Sequence, residues 1–118
     1  MAVTATENTT QSVKQVYFAW TSDSSGDASG STTYAYDGDL IGFATDPDGT
    51  AAPTDNYDVT LTDANGFDLL MGNGADRDTA DIEYVAGTSL GAVSGSKLTL
   101  TVANAGDTKK GVAVVWIR

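Results

Sequence analysis

The dominant pattern along the chain is a period of two. Val16, Phe18 and Trp20 alternate with Tyr17 and Ala19, which predicts a half-buried strand over residues 12–21. Tyr57, Val59 and Leu61 alternate with Asp58, Thr60 and Thr62. Leu98, Leu100 and Val102 alternate with Thr99 and Thr101 within residues 97–103. Both segments read as strands with one apolar and one polar face. Shorter stretches predict strands over 32–36, 40–45, 67–71 and 81–85. Residues 111–118 differ, because Val112, Val114 and Trp116 fall on one face and Ala113, Val115 and Ile117 on the other. A strand that is apolar on both sides is either central in a covered sheet or meets another chain.

Turn chemistry separates these runs. Residues 22–31 (SDSSGDASGS) read as a loop, as do 72–79, and residues 87–96 are small and turn-rich. Asp37-Gly38-Asp39 reads as a turn or bulge, since Gly accepts a positive φ. Asp46-Pro47-Asp48-Gly49 is a turn, with Pro47 fixing φ at its first central position. Asn65-Gly66 and the later Asn104-Ala105-Gly106-Asp107 read as two hairpin turns. No window carries a helical period. The prediction is an all-β chain, a single β-sandwich or jelly-roll-like domain over residues 12–118 with about seven or eight short antiparallel strands. Residues 1–11 are Thr-rich with no large apolar residue after Val3, and read as a flexible N-terminal arm.

Composition sharpens this picture. Leu, Ile, Val and Phe total 23 of 118 residues, near the level where high net charge favours disorder, so the alternation is what argues for folding. A core this thin gains from an oligomer or a partner. The formal charge is −10, and residues 15–96 hold fourteen acids against one base, Arg77. Nucleic acid is therefore not an expected partner, since phosphate binding needs clustered Lys and Arg. The other bases lie near the ends: Lys14, Lys97, Lys109, Lys110 and Arg118. The acidic middle reads as a solvated surface that favours solubility, and the basic ends as a means of docking on an acidic partner. The longest large-apolar run, 112–117, is far shorter than the ~20 residues of a spanning helix, and no secretion signal opens the sequence. No membrane partner is expected.

The chain has neither His nor Cys, which excludes His-based catalysis, a cysteine nucleophile and a zinc-thiolate site. Asp37 with Asp39, and Asp76 with Asp78 and Asp81, are paired carboxylates. They sit among Gly, Ser and Thr, where nothing would hold one protonated for glycoside hydrolysis. Calcium candidates are Asp46 with Asp48, Asp55 with Asp58, and Asp76 with Asp78; none has EF-hand spacing, and turn formation accounts for the same residues. No cofactor is expected. Tyr34 and Tyr36, two apart, would share a face and could stack on a sugar, as could Trp20 or Trp116; core packing competes with that use. An enzyme is not expected.

Several phrases carry a resemblance: residues 14–23 (KQVYFAWTSD), 46–49 (DPDG), 52–63 (APTDNYDVTLTD) and 110–118 (KGVAVVWIR). Together they resemble small structural proteins of tailed bacteriophages, over roughly residues 12–118. The resemblance implies a virion component assembled in the host cytoplasm. Decoration (cement) proteins of that kind are small, largely β, free of Cys, and often dimeric or trimeric, and they clamp neighbouring subunits of the major capsid protein. Some donate a terminal arm as an added strand. On that footing the main chain of Thr4, Thr6, Thr9 and Thr10 would pair with a capsid strand. Lys14, Lys109, Lys110 and Arg118 would meet an acidic partner, and residues 111–118 form a second contact surface. The alternatives are a head–tail or tail accessory protein, such as a connector, baseplate or fibre-attachment module, and a sugar- or calcium-binding adhesion module.

Overall fold

The computed structural model describes residues 2–118, and the described residues form nine strands. These are β1 (Ala2–Asn8), β2 (Lys14–Thr21), β3 (Ala28–Ser31), β4 (Tyr36–Pro47), β5 (Asp58–Thr62), β6 (Glu83–Ala86), β7 (Ala92–Ser96), β8 (Thr99–Ala103) and β9 (Lys110–Ile117). One three-residue 3-10 turn, Gly87–Ser89, precedes β7. The large sheet has the order β1-β2-β9-β4-β6, with β7 pairing the first part of β4. The small sheet has the order β3-β8-β5. All pairings are antiparallel. The chain passes repeatedly between the two sheets, so the fold is a β-sandwich of unequal layers.

The alternation seen in the sequence sets the core. Val16, Phe18 and Trp20 of β2 point inward with Ala113, Val115 and Ile117 of β9, and all are buried. They meet Val59 and Leu61 of β5, and Leu100 and Val102 of β8, from the opposite sheet. Each fully buried Val, Leu or Phe contributes about 1.5–3 kcal/mol by leaving water. The last strand is central in the large sheet, between β2 and β4. Its inner residues are in the core, but Val112, Val114 and Trp116 remain half-exposed.

Several expectations require correction. Residues 2–8 of the expected arm are strand β1, zipped to β2 from Ala2↔Thr21 to Asn8↔Gln15; Met1 lies outside the described residues. The reason is a weak alternation: Val3 and Ala5 pack on the core, and Glu7 shares their side. Val3 sits so close to Gly30 of β3 that a Cβ there would meet its side chain at 2.7 Å. Thus β3 forms inside a segment read as loop because its glycine admits a neighbour. Residues 32–35 are a bend, not a strand.

Residues 67–71 do not return as a strand after Asn65-Gly66. The Asp68 carboxylate instead accepts N–H groups of Leu61, Leu70 and Gly72, curling the segment into turns. Asn104–Asp107 joins β8 of the small sheet to β9 of the large one, so it is a crossing and not a hairpin. Gly38 does mark a bulge, with φ at 128° and an irregular register against β7.

One close approach fixes an end of the β2–β9 pairing. Trp20 lies opposite Gly111, and a Cβ on that glycine would meet the indole at 2.6 Å. The ring also contacts Tyr57, with centroids 5.7 Å apart. Gly111→Ala should therefore lower stability by about 1–3 kcal/mol through overpacking. Gly49→Ala, where a new methyl meets nothing within 4 Å, should stay within about 0.5 kcal/mol of wild type. Urea denaturation of the two variants checks both.

Candidate docking surfaces

The two sheets turn contrasting faces to the outside. On the small sheet, the rows Ser29–Thr101–Thr60 and Ser31–Thr99–Thr62 point away from the core. That face is hydroxyl-rich, as a solvated sheet face should be. On the large sheet, one row runs Thr6–Tyr17–Val114–Ala44–Tyr84 across five strands. The rows beside it are Thr4–Ala19–Val112–Asp46 and Asn8–Gln15–Trp116–Gly42–Ala86. Tyr17 is 42% exposed and Tyr84 62%. Charge lies toward the two ends of this face: at one, Asp46, Asp48 and Lys110 border an open groove of about 520 Å³ floored by Ala19 and Val112, and at the other Arg118 follows β9 with its backbone paired to Asp39.

The aromatic part of this face is fixed in place. Tyr84 lies across Gly42, where any Cβ would strike its hydroxyl, and its ring tilts at 44° against Trp116 with centroids 5.7 Å apart. A glycine in the middle of β4 thus gives a flat seat to an aromatic pair. Tyr84 was not singled out from sequence because β6 is only four residues long and its inner neighbour Glu83 is polar.

The second feature is a sheet edge. β1 terminates the large sheet, and its far side has no strand partner among the described residues. Its seven-residue pairing with β2 is regular from end to end. Other edges are shielded or short. β5 is covered by the 68–77 loop through Leu69 N–H to Leu61, Val59 N–H to Gly74 and the Tyr57↔Arg77 bridge. β3 and β6 have four residues each, and β7 meets β4 with a register shift. A long unblunted edge is a template for strand addition.

Glu7 holds that edge against the body. Its carboxylate accepts the N–H groups of Thr33 and Tyr34 at 2.8 and 3.1 Å and the Tyr36 hydroxyl at 2.8 Å. Burial raises its pKa, but these hydrogen bonds outweigh burial and leave it lowered. Burial, followed by the hydrogen bond to Glu7 and then the Glu7 charge, pushes the Tyr36 hydroxyl up. The 68–77 loop is anchored similarly by Arg77, which is buried. It donates to Thr45 Oγ1, Asn73 O and Glu83 O, and its guanidinium lies 5.7 Å from the Phe43 ring centroid. The lone base of the acidic middle is therefore a structural rivet.

The residues expected to bind partners are not gathered into one patch. Thr4 and Thr6 are exposed on β1. Thr9 and Thr10 follow the strand, and Thr9 lines a shallow hollow with Lys14, Tyr34 and Tyr36. Lys14 pairs with Ile117 beside Arg118, at one end of the large sheet; Lys109 and Lys110 lie at the opposite end, near Thr21. Tyr34 and Tyr36 do not share a face: Tyr34 is exposed, whereas Tyr36 is buried and bonded to Glu7. Trp20 is in the core.

The candidate metal ligands act as turn acceptors. Asp48 accepts from Thr50 and Ala51, and Asp78 from Ala80 and Asp81, and these backbone bonds lower both pKa values. The Asp76 N–H donates to Asp58. Asp46 lies on the outer face of β4, opposite Val112. Among the described residues no group of three or more acidic, His or Cys side chains is placed to hold a metal.

No family model and no curated protein matches the chain. Among solved structures it is similar to the crystal structure of FLHE, at 11% identity and a TM-score of 0.43, covering 92% of this chain and 99% of that one. A likeness at this level does not bear on what the chain does.

Glu7 and Tyr36 give a pH signature. A carboxylate held below its ordinary value stabilises the fold above that value, and the contribution is lost as pH falls through the folded pKa. Glu7→Gln should cost about 1–2 kcal/mol at pH 7. The gap to wild type should close as pH falls below 4.5, the ordinary value for this group. Tyr36 has the opposite sense: its contribution holds below pH 10.0 and is lost as pH rises above it. Urea titrations of wild type and Glu7→Gln from acid to alkaline pH measure both effects.

Proposed function

We propose that this chain is a non-enzymatic virion structural protein, a capsid decoration protein that docks on a phage head through the free edge of β1. What supports the reading is the combination of a regular seven-residue edge with the phage-like phrases of the sequence. An extended segment of a major capsid subunit would add beside β1, with main-chain hydrogen bonds supplying affinity. The side chains along β1 suit this, because the one charge, Glu7, is engaged inward with Thr33, Tyr34 and Tyr36. A partner strand would therefore meet Ala, Thr, Val and Asn and no exposed like charge. Binding that occurs only to the assembled lattice stabilises that lattice by mass action.

This edge replaces the mobile arm as the means of strand addition. Removing residues 1–11 would strip Val3 and Ala5 from the core as well as the edge, so truncation is the wrong test. Amide hydrogen exchange reads the edge directly. Binding to purified heads should slow exchange in Ala2–Asn8, while the Ser/Thr face of the small sheet stays unchanged. Quantitative mass spectrometry of particles should find on the order of hundreds of copies, as a lattice component requires. About a dozen copies would transfer the protein to the tail axis, and absence from the particle would end the virion reading.

A further inference from the structure

We propose that the outer face of the large sheet is an interface between two copies of this chain, packed sheet against sheet. The proposal goes beyond the head-docking reading and stands without it, since it uses a different surface.

The molecule contains its own comparison. Both sheets have an outward face, and the same chain covers one with Ser and Thr and the middle of the other with Tyr17, Val112, Val114, Trp116 and Tyr84, leaving Thr4, Thr6, Asn8 and Gln15 to its β1–β2 side. The central strand supplies β-branched Val112 and Val114 to an exterior where Thr would do if water were the final neighbour. Isolated apolar residues on a surface are ordinary, but a contiguous patch marks an interaction site.

Area and charge select the occupant. Five strands about 4.8 Å apart, over some three rows of outward residues, give a footprint of about 24 by 20 Å. Two such faces bury about 1,000 Å² together, the lower bound for a specific protein interface. The chain carries −10, yet two of the three rows contain no charge, and the third carries only Asp46 at its β4 end, near Asp48 and Lys110. A second copy offers the same two uncharged rows, so pairing buries no ion at the centre, and Asp46 lies at the margin, past the last β4–β6 pair. A strongly basic partner would find its counter-charges elsewhere on the molecule. Tyr84 and Trp116 are already seated over Gly42, so little side-chain freedom is lost on pairing. Aligned sheets pack about 10 Å apart with strands crossing near 30°. The pair would carry its hydroxyl-rich sheets outside and a free β1 edge on each copy.

The interface predicts an unusual salt dependence. Repulsion between two acidic copies is screened as the Debye length falls from about 10 Å at 0.1 M salt to about 3 Å at 1 M. Sedimentation velocity of the full chain should show a monomer–dimer equilibrium that tightens with sodium chloride. Val114→Lys should weaken it about a hundredfold or more, because it buries an unpaired charge, although it lowers the net repulsion. Thr101→Lys, with the same charge change on the small sheet, should leave it within about twofold of wild type. If Val114→Lys does not fold by circular dichroism, Tyr17→Lys at an exposed position makes the same test. A monomer at every salt concentration, or equal affinities for the two face variants, would overturn the proposal. Head binding is read separately by exchange at β1, so either idea can fail alone.

Discussion

The pairing of the last strand with β2 and β4 is the constraint on which the rest of the molecule depends. Without β9 the large sheet would fall into two pieces, β1-β2 and β4 with its short partners. β9 also places Ala113, Val115 and Ile117 against the small sheet, so one eight-residue strand closes a layer and fills the core. Gly111 lets the strand enter under Trp20. Such closure joins residues at opposite ends of the chain, and its loop-closure cost is met only by burial gained late in folding. A thin, Ala-rich composition suffices because burial is concentrated in these paired rows and in the two anchors, Glu7 and Arg77.

Those anchors explain how a chain rich in Asp and Gly keeps irregular segments in place. The Asp68 carboxylate organises a turn, Asp48 and Asp78 cap others, and Arg77 ties the 68–77 loop to β4 and β6. Much of the acidity therefore has a local structural use before any partner is considered. Carboxylates that accept two backbone N–H groups are turn formers, which is why they make poor evidence for calcium.

The sandwich was legible where the period of two was strong. β2, β5, β8 and β9 carry large apolar residues at alternate positions, and each lies where that pattern puts it. β1 and β3 were illegible because, apart from Val3, their inward positions hold Ala, Gly and Glu, and their fit depends on neighbours distant in sequence: Val3 packs against Gly30, and Glu7 bonds to Thr33, Tyr34 and Tyr36. The 67–71 segment has strand-like residues, but the Asp68 side chain competes for the backbone and wins. Of the candidate docking surfaces, the two-sided character of residues 111–118 was visible in the sequence. The edge of β1 was visible only as Thr-rich chain. The Tyr84–Trp116 pair was not, because its seat is a glycine on another strand.

On the reading proposed above, the surfaces divide the work: a polar small sheet for solvent, an apolar face for a second copy, and a backbone edge for a capsid subunit. The most direct measurement of the central claim is an image reconstruction of the phage head at a resolution that traces main chain. The account predicts an extended capsid segment running beside Ala2–Asn8 as an additional strand of the large sheet. A copy held to the head through the Ser/Thr face of the small sheet, with β1 left open to solvent, would contradict it.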